Sequence, residues 1–146
     1  MKPFIAFPLT LAALCAALHA ADPILPKGWE PRIDNQCDYL RDALHREKAQ
    51  QGINQLTGQI AELLDAQLFV VYVRLSDLLD AKGKASLNAE QSKWMKKRDR
   101  VVVEAARLDY GGSASPMDAN MAYSDFTTKR LKTLEARLKQ LGAKGA

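Results

Sequence analysis

Residues 53–81 read INQLTGQIAELLDAQLFVVYVRLSDLLDA. Within them Ile60, Leu64, Leu68, Val71, Leu75 and Leu78 follow one another at intervals of four, four, three, four and three. That spacing stacks the six side chains on one face of an α-helix, whereas a half-buried strand would alternate every second residue. A helix with a single apolar stripe gains most of its stability from packing, so this segment calls for helical partners on either side.

Those partners are legible outward from it. Upstream, residues 34–51 form a first helix with Asp34 as N-cap, Cys37, Leu40 and Leu44 on one face, and Gly52 as its terminator. Downstream, Lys82-Gly83-Lys84 breaks the chain and Ser86 caps a third helix carrying Leu87, Trp94, Val101, Ala105 and Leu108. The triplet Val101-Val102-Val103 opposes helix formation weakly, by an amount that packing overrides. Gly111, Gly112, Ser113, Ser115 and Pro116 mark residues 110–117 as a loop, and a fourth helix runs over residues 118–141 with Phe126, Leu131, Leu134, Leu138 and Leu141 as its stripe. The fold class is all-α: a small antiparallel bundle of about four helices, with the longer second, third and fourth as its frame. Ahead of it, Pro23, Pro26, Gly28 and Pro31 give residues 21–33 the character of an extended arm, with Trp29 covering an edge of the core.

The chain opens with Lys2, an apolar run over residues 4–18 and the small residues Ala16, Ala17, Ala20 and Ala21. This is the order of a secretory signal, with cleavage after Ala20, and it implies a periplasmic or secreted protein. The run falls short of the roughly 20 residues a bilayer core requires, so no stable membrane span is expected. Leu14, ahead of Cys15, is larger than a lipid-attachment signal prefers, which disfavours anchoring there. The expected organisation is a signal peptide over 1–20, an arm over 21–33 and a helical domain over 34–146.

Of the 146 residues 21 are basic and 17 acidic; the leader takes only Lys2 with it, so the net charge falls from +4 to +3. Nucleic-acid binding calls for a larger excess and interleaved aromatics, and export removes the opportunity. Cleavage leaves one cysteine, Cys37, and one histidine, His45, so no internal disulfide forms and stability rests on packing. Cys37 is then either buried, as its helical face favours, or free for an intermolecular bond. His45 lies among Arg41, Arg46, Glu47 and Lys48 on a solvated face. No metal-ligand cluster, phosphate-cradling glycine loop or nucleophile motif is present, and the expectation is a protein without cofactor or catalytic residues. Glu62, Asp65, Asp77 and Asp80 are read as solvated or paired carboxylates rather than an acid–base couple. Lys93, Lys96, Lys97 and Arg100 make a basic stripe, for which an anionic envelope polymer is the lesser partner. Arg98 and Arg130 interrupt apolar lines and therefore need compensation inside the fold, with Glu62 or Asp65 on the second helix as candidates.

Four segments in order carry a family resemblance. Gln91-Ser-Lys-Trp94 followed by Arg98-Asp99 resembles the Gln-x-x-Trp-x-x-x-Arg-Asp signature of the LprI-type lysozyme-inhibitor domain. Asp65-x-x-Leu68 with Tyr72 resembles that family's Asp-x-x-Leu-Asn-x-x-Tyr segment, with Phe69 in place of Asn; Gly111-Gly112-Ser113 resembles its glycine turn; Thr128-Lys-Arg130 with Leu134 resembles its Thr-x-x-Arg-x-x-x-Leu element. The usual cysteines are missing, Val102 standing where one is expected, which marks a divergent member. The resemblance implies an exported non-enzymatic protein that blocks a lysozyme or other glycan-cleaving enzyme sterically. Gly111, Gly112, Ser113, Ser115 and Pro116 are the expected partner-binding edge, and Asp65, Leu68, Tyr72, Gln91, Trp94, Arg98, Asp99, Arg130 and Leu134 the scaffold. An envelope-binding module and an immunity protein against a different periplasmic toxin stand as alternatives.

Overall fold

The structure is a computed structural model that describes residues 23–26, 28–29 and 33–143. The expected signal peptide over 1–20 lies outside the described residues. Four helices follow the arm: α1 (Ile33–Arg46), α2 (Gln50–Asp77), α3 (Ala81–Leu108) and α4 (Ser115–Gly142), and no strand occurs among the described residues.

Short connections reverse the chain three times, so consecutive helices run antiparallel and α2 and α4, one helix apart in sequence, run parallel. Asn54 on α2 meets Asn120 on α4 near their starts, and Leu75 meets Leu134 further along both. The α2–α4 contact is the most extensive; α3 packs on α4, α1 on α2, and α2 barely touches α3. One core cluster joins Leu68, Val71, Leu75, Leu87, Leu131 and Leu134, with Tyr72, Leu79, Trp94, Leu138 and Leu141 around it. A second joins Cys37 and Leu40 of α1 to Ile60 and Leu64 of α2, with Leu44 against it. Burial among these side chains pushes the Cys37 thiol above its ordinary pKa. Because α2 is contacted by α1 and α4 on different sides, it carries more apolar surface than one stripe; it is long and apolar enough by composition to cross a membrane, yet it supplies both core clusters.

Several helix boundaries differ from the sequence reading, each for a local reason. The first helix stops at Arg46 rather than Gln51, because the Glu47 carboxylate folds forward to accept from the backbone N–H groups of Lys48 and Ala49, both at 2.8 Å. Those two hydrogen bonds also hold the Glu47 carboxyl below its usual pKa. Gly52 is not a terminator; it lies inside α2, where a Cβ would collide with the Glu47 side chain. Lys82-Gly83-Lys84 is not a break but the first turn of α3. Asp80, not Ser86, is the N-cap, its Oδ1 accepting from Gly83 N at 2.7 Å. The fourth helix starts at Ser115, because Pro116 fits its first turn, where a missing N–H costs nothing. Leu78 and Leu108, expected in apolar stripes, are 51% and 82% exposed: α2 has ended before Leu78, and α3 has run past its neighbours at Leu108. Trp29 does not cover the core. It is 66% exposed, sits after a turn at Gly28 (φ +82°), and is held through its carbonyl by Arg74 at 2.6 Å.

Candidate functional site

Arg98 of α3 reaches across to α2 beside their shared apolar core. Arg98 is 6% exposed; its Nη1 donates to Asp65 Oδ1 at 2.5 Å and lies 3.5 Å from Thr127 Oγ1, while its guanidinium sits 4.7 Å from the Trp94 ring centroid and 4.0 Å from that of Tyr123. Trp94 in turn stacks on Phe126 at 5.8 Å. A charge so far from water needs an anion and polarisable faces, and here α2 supplies the first while α3 and α4 supply the second. Nε of Arg98 has no hydrogen-bond partner, with Asp99 Oδ1 at 3.9 Å. Burial, reinforced by a hydrogen bond to Asp65, pushes the Tyr123 phenol up to about 12. Of the two carboxylates expected to answer Arg98, Asp65 does so and Glu62 stays exposed.

Arg130 is answered from a different direction than expected: its Nε donates to Gln91 Oε1 on α3 at 3.0 Å, and its Nη2 lies 3.8 Å from Glu90, which also binds Arg137 at 2.8 Å. Neither Glu62 nor Asp65 reaches it, because Arg130 is on the α3 side of α4. Burial pulls its pKa below the usual value, against the pull of Glu90.

Asp65, Leu68, Tyr72, Gln91, Trp94 and Arg98 thus come together, lining an open groove of about 260 Å³ between α2 and α3. Phe69, which stands where the family pattern has Asn, is 65% exposed at its rim. Leu134 is fully buried in the core and Asp99 is exposed. The threonine that matters is Thr127, fully buried and three residues before Arg130; Thr128, singled out in the sequence, is one residue out of register.

The glycine turn lies elsewhere, at the end of the bundle where α3 passes into α4. Ser115 and Pro116 belong to α4 rather than to the loop, which shortens the turn to residues 109–114. Asp109 organises it: its carbonyl accepts from Gly112 N at 2.8 Å and its carboxylate from Ala114 N at 3.2 Å, folding into the space a Cβ on Gly112 would take. Gly111 has φ +79°, the left-handed region glycine enters without strain. Ser115 Oγ donates to the Ala106 carbonyl at 2.9 Å, and Asn54 of α2 donates to that of Ser113 at 2.8 Å. Leu108, just before the turn, and Tyr110, within it, are 82% and 89% exposed. The motif residues do not touch this turn; Asn54, Asp109 and Ser115 brace it. Asp109 two residues before Gly111-Gly112 was a readable turn signal, whereas Asn54, Tyr123 and Phe126 reach their partners only through packing.

Among the described residues no group of three or more His, Cys, Asp or Glu side chains is placed to hold a metal ion. No curated protein and no solved structure matches the chain. One family model does, that of lysozyme inhibitor LprI, over residues 29–134, and it takes in both the Asp65–Arg98 bridge and the glycine turn. By that match, across most of its length, the chain belongs to the LprI lysozyme-inhibitor family.

Proposed function

We propose that the protein is an exported, non-enzymatic inhibitor that blocks a lysozyme or other glycan-cleaving enzyme sterically, with the turn at residues 109–114 and the start of α4 as the blocking edge. Export through cleavage of residues 1–20, with an arm over 21–33 and the helical domain beyond it, belongs to the same proposal. Family membership supports the target class. The observation that carries the choice of edge is the braced turn itself: four hydrogen bonds anchor it to α2, α3 and its own Asp109, and it presents Leu108 and Tyr110 almost fully to solvent. A pre-ordered turn loses little entropy on docking, and large exposed apolar side chains are the anchors a protein interface uses. Gly111, Gly112 and Ser113 then shape the edge, and Ser115 and Pro116 fix where α4 leaves it.

The test is an inhibition assay against a panel of lysozymes with the protein and its L108S/Y110S variant. Loss of inhibition in the variant at unchanged helicity supports the assignment. Full inhibition by the variant assigns the contact to another face, and failure of the parent protein against every lysozyme returns the choice to the envelope-binding and immunity readings.

A further inference from the structure

The basic stripe of α3 takes no part in the site described above, and the structure changes its character. Eight of the residues in α3 are basic and three acidic. Arg98 is withdrawn into the core, and two of the three acids are drawn toward arginines of the bundle: Glu90 to Arg137 and Arg130 on α4, and Asp99 to the flank of Arg98. What remains on the outward line, at intervals of seven, four, three, four, three and four, is Lys82, Ala89, Lys93, Lys96, Arg100, Val103 and Arg107, all exposed. Two carboxylates flank that line toward its far end: Glu104, 3.9 Å from Arg107, and the exposed Asp99, which lines a shallow depression with Arg100, Val103 and Arg107. At 1.5 Å per residue the ridge is about 37 Å long, with charges about 5–6 Å apart over its middle. Because α3 sits at the edge of the bundle and packs on α4, no other helix among the described residues covers this side.

We propose that this ridge binds a flexible linear polyanion with repeating phosphate groups. A row of cations on a convex helix follows such a chain, neutralising successive charges and releasing their counterions. A bilayer surface fits less well: an interfacial helix buries an apolar face beside its basic one, and here the apolar face of α3 is spent on the core while the ridge offers only Ala89 and Val103. This inference is independent of the inhibitor reading, since the ridge and the turn at residues 109–114 share no residue.

The test measures binding of the protein to long-chain inorganic polyphosphate across a salt series, with phosphatidylcholine–phosphatidylglycerol vesicles as the second arm. The ridge variant K93Q/K96Q/R100Q is compared with K129Q/K132Q/K139Q, which removes equal charge from exposed positions on α4; glutamine keeps helix propensity, and far-UV circular dichroism checks the fold. The ridge variant is expected to bind polyphosphate at least about tenfold more weakly, with the log–log salt slope reduced by about two, roughly 0.7 per lost contact, while the α4 variant stays within about twofold of the parent. Equal losses in the two variants, absence of polyphosphate binding at low salt, or vesicle binding that exceeds polymer binding and depends on the ridge would each overturn the proposal.

Discussion

Removing Asp65 should harm the fold more than removing the arginine it serves. In Asp65→Ala the Arg98 side chain, 7% exposed, keeps its charge and loses its hydrogen-bonded anion, leaving only the exposed Asp99 at 3.9 Å, while its Nε is already without a hydrogen bond. Stripping one partner from a buried pair costs about 3–5 kcal/mol. Asp65 is 46% exposed, so water reaches the vacated side, and the expected cost falls to about 2–3 kcal/mol. Arg98→Met removes the charge altogether, keeps an unbranched side chain against Trp94 and Tyr123, and releases Asp65 to solvent. It loses two cation–π contacts at about 0.5–1 kcal/mol each and the ion pair, offset by relief of the buried guanidinium, for a net cost of about 1 kcal/mol. The double variant should resemble Arg98→Met alone, giving a coupling of about 2 kcal/mol. Urea unfolding followed by tryptophan fluorescence, with the m-value held constant across the series, reads these differences. Equal costs for the two single variants, or additivity within about 0.5 kcal/mol, would mean that the pair is solvated and that the α2–α3 bridge is held by aromatic packing alone.

Other expectations follow from the same structure. Tyr123, raised to about 12 by burial, should be the last of the four tyrosines to give a phenolate signal at about 295 nm. Because its folded pKa lies above the unfolded value near 10, its contribution to stability is complete below about pH 10 and is lost as pH rises toward 12; a Tyr123→Phe variant that softens no more slowly than the parent over that window would contradict this. Cys37, 2% exposed, should react with a thiol reagent only on unfolding, and prompt labelling of the native protein would place it at the surface. Intact mass of the exported protein should correspond to a start at Ala21, and a retained Met1 or a lipid on Cys15 would overturn the proposed processing. Asp77 and Asp80 accept from the backbone N–H groups of Ile24 and Gly83, Glu90 pairs with Arg137, and without residues 1–20 the net charge is +3. Inhibition of a strongly basic lysozyme should therefore strengthen as salt screens the net repulsion, and steep weakening with salt would refute that charge argument.

The number of helices, their order and most of the core were determined by the sequence alone, because a three–four repeat such as Ile60, Leu64, Leu68, Val71, Leu75 reports its own helical face whatever it packs against. Helix ends were less legible: Gly52, Gly83 and Pro116 have the composition of breaks, and their roles depend on where Glu47, Asp80 and the first turn of α4 lie. The sequence showed that Arg98 and Arg130 require partners, since a charge on an apolar line must be compensated. Which partners they take was decided by the tertiary structure, because α3 packs on α4 at the edge of the bundle, turning Arg98 toward Asp65 of α2 and Arg130 of α4 toward Gln91. The glycine turn was visible as a loop, but its rigidity rests on Asn54, 59 residues away from Ser113, and its exposed Leu108 belongs to an apolar stripe in the sequence. The same holds for the basic ridge: a run of lysines and arginines is mixed with acids in sequence, and packing against α4 draws Glu90 toward Arg130 and Arg137, leaving Lys93, Lys96 and Arg100 exposed on the outward line of α3.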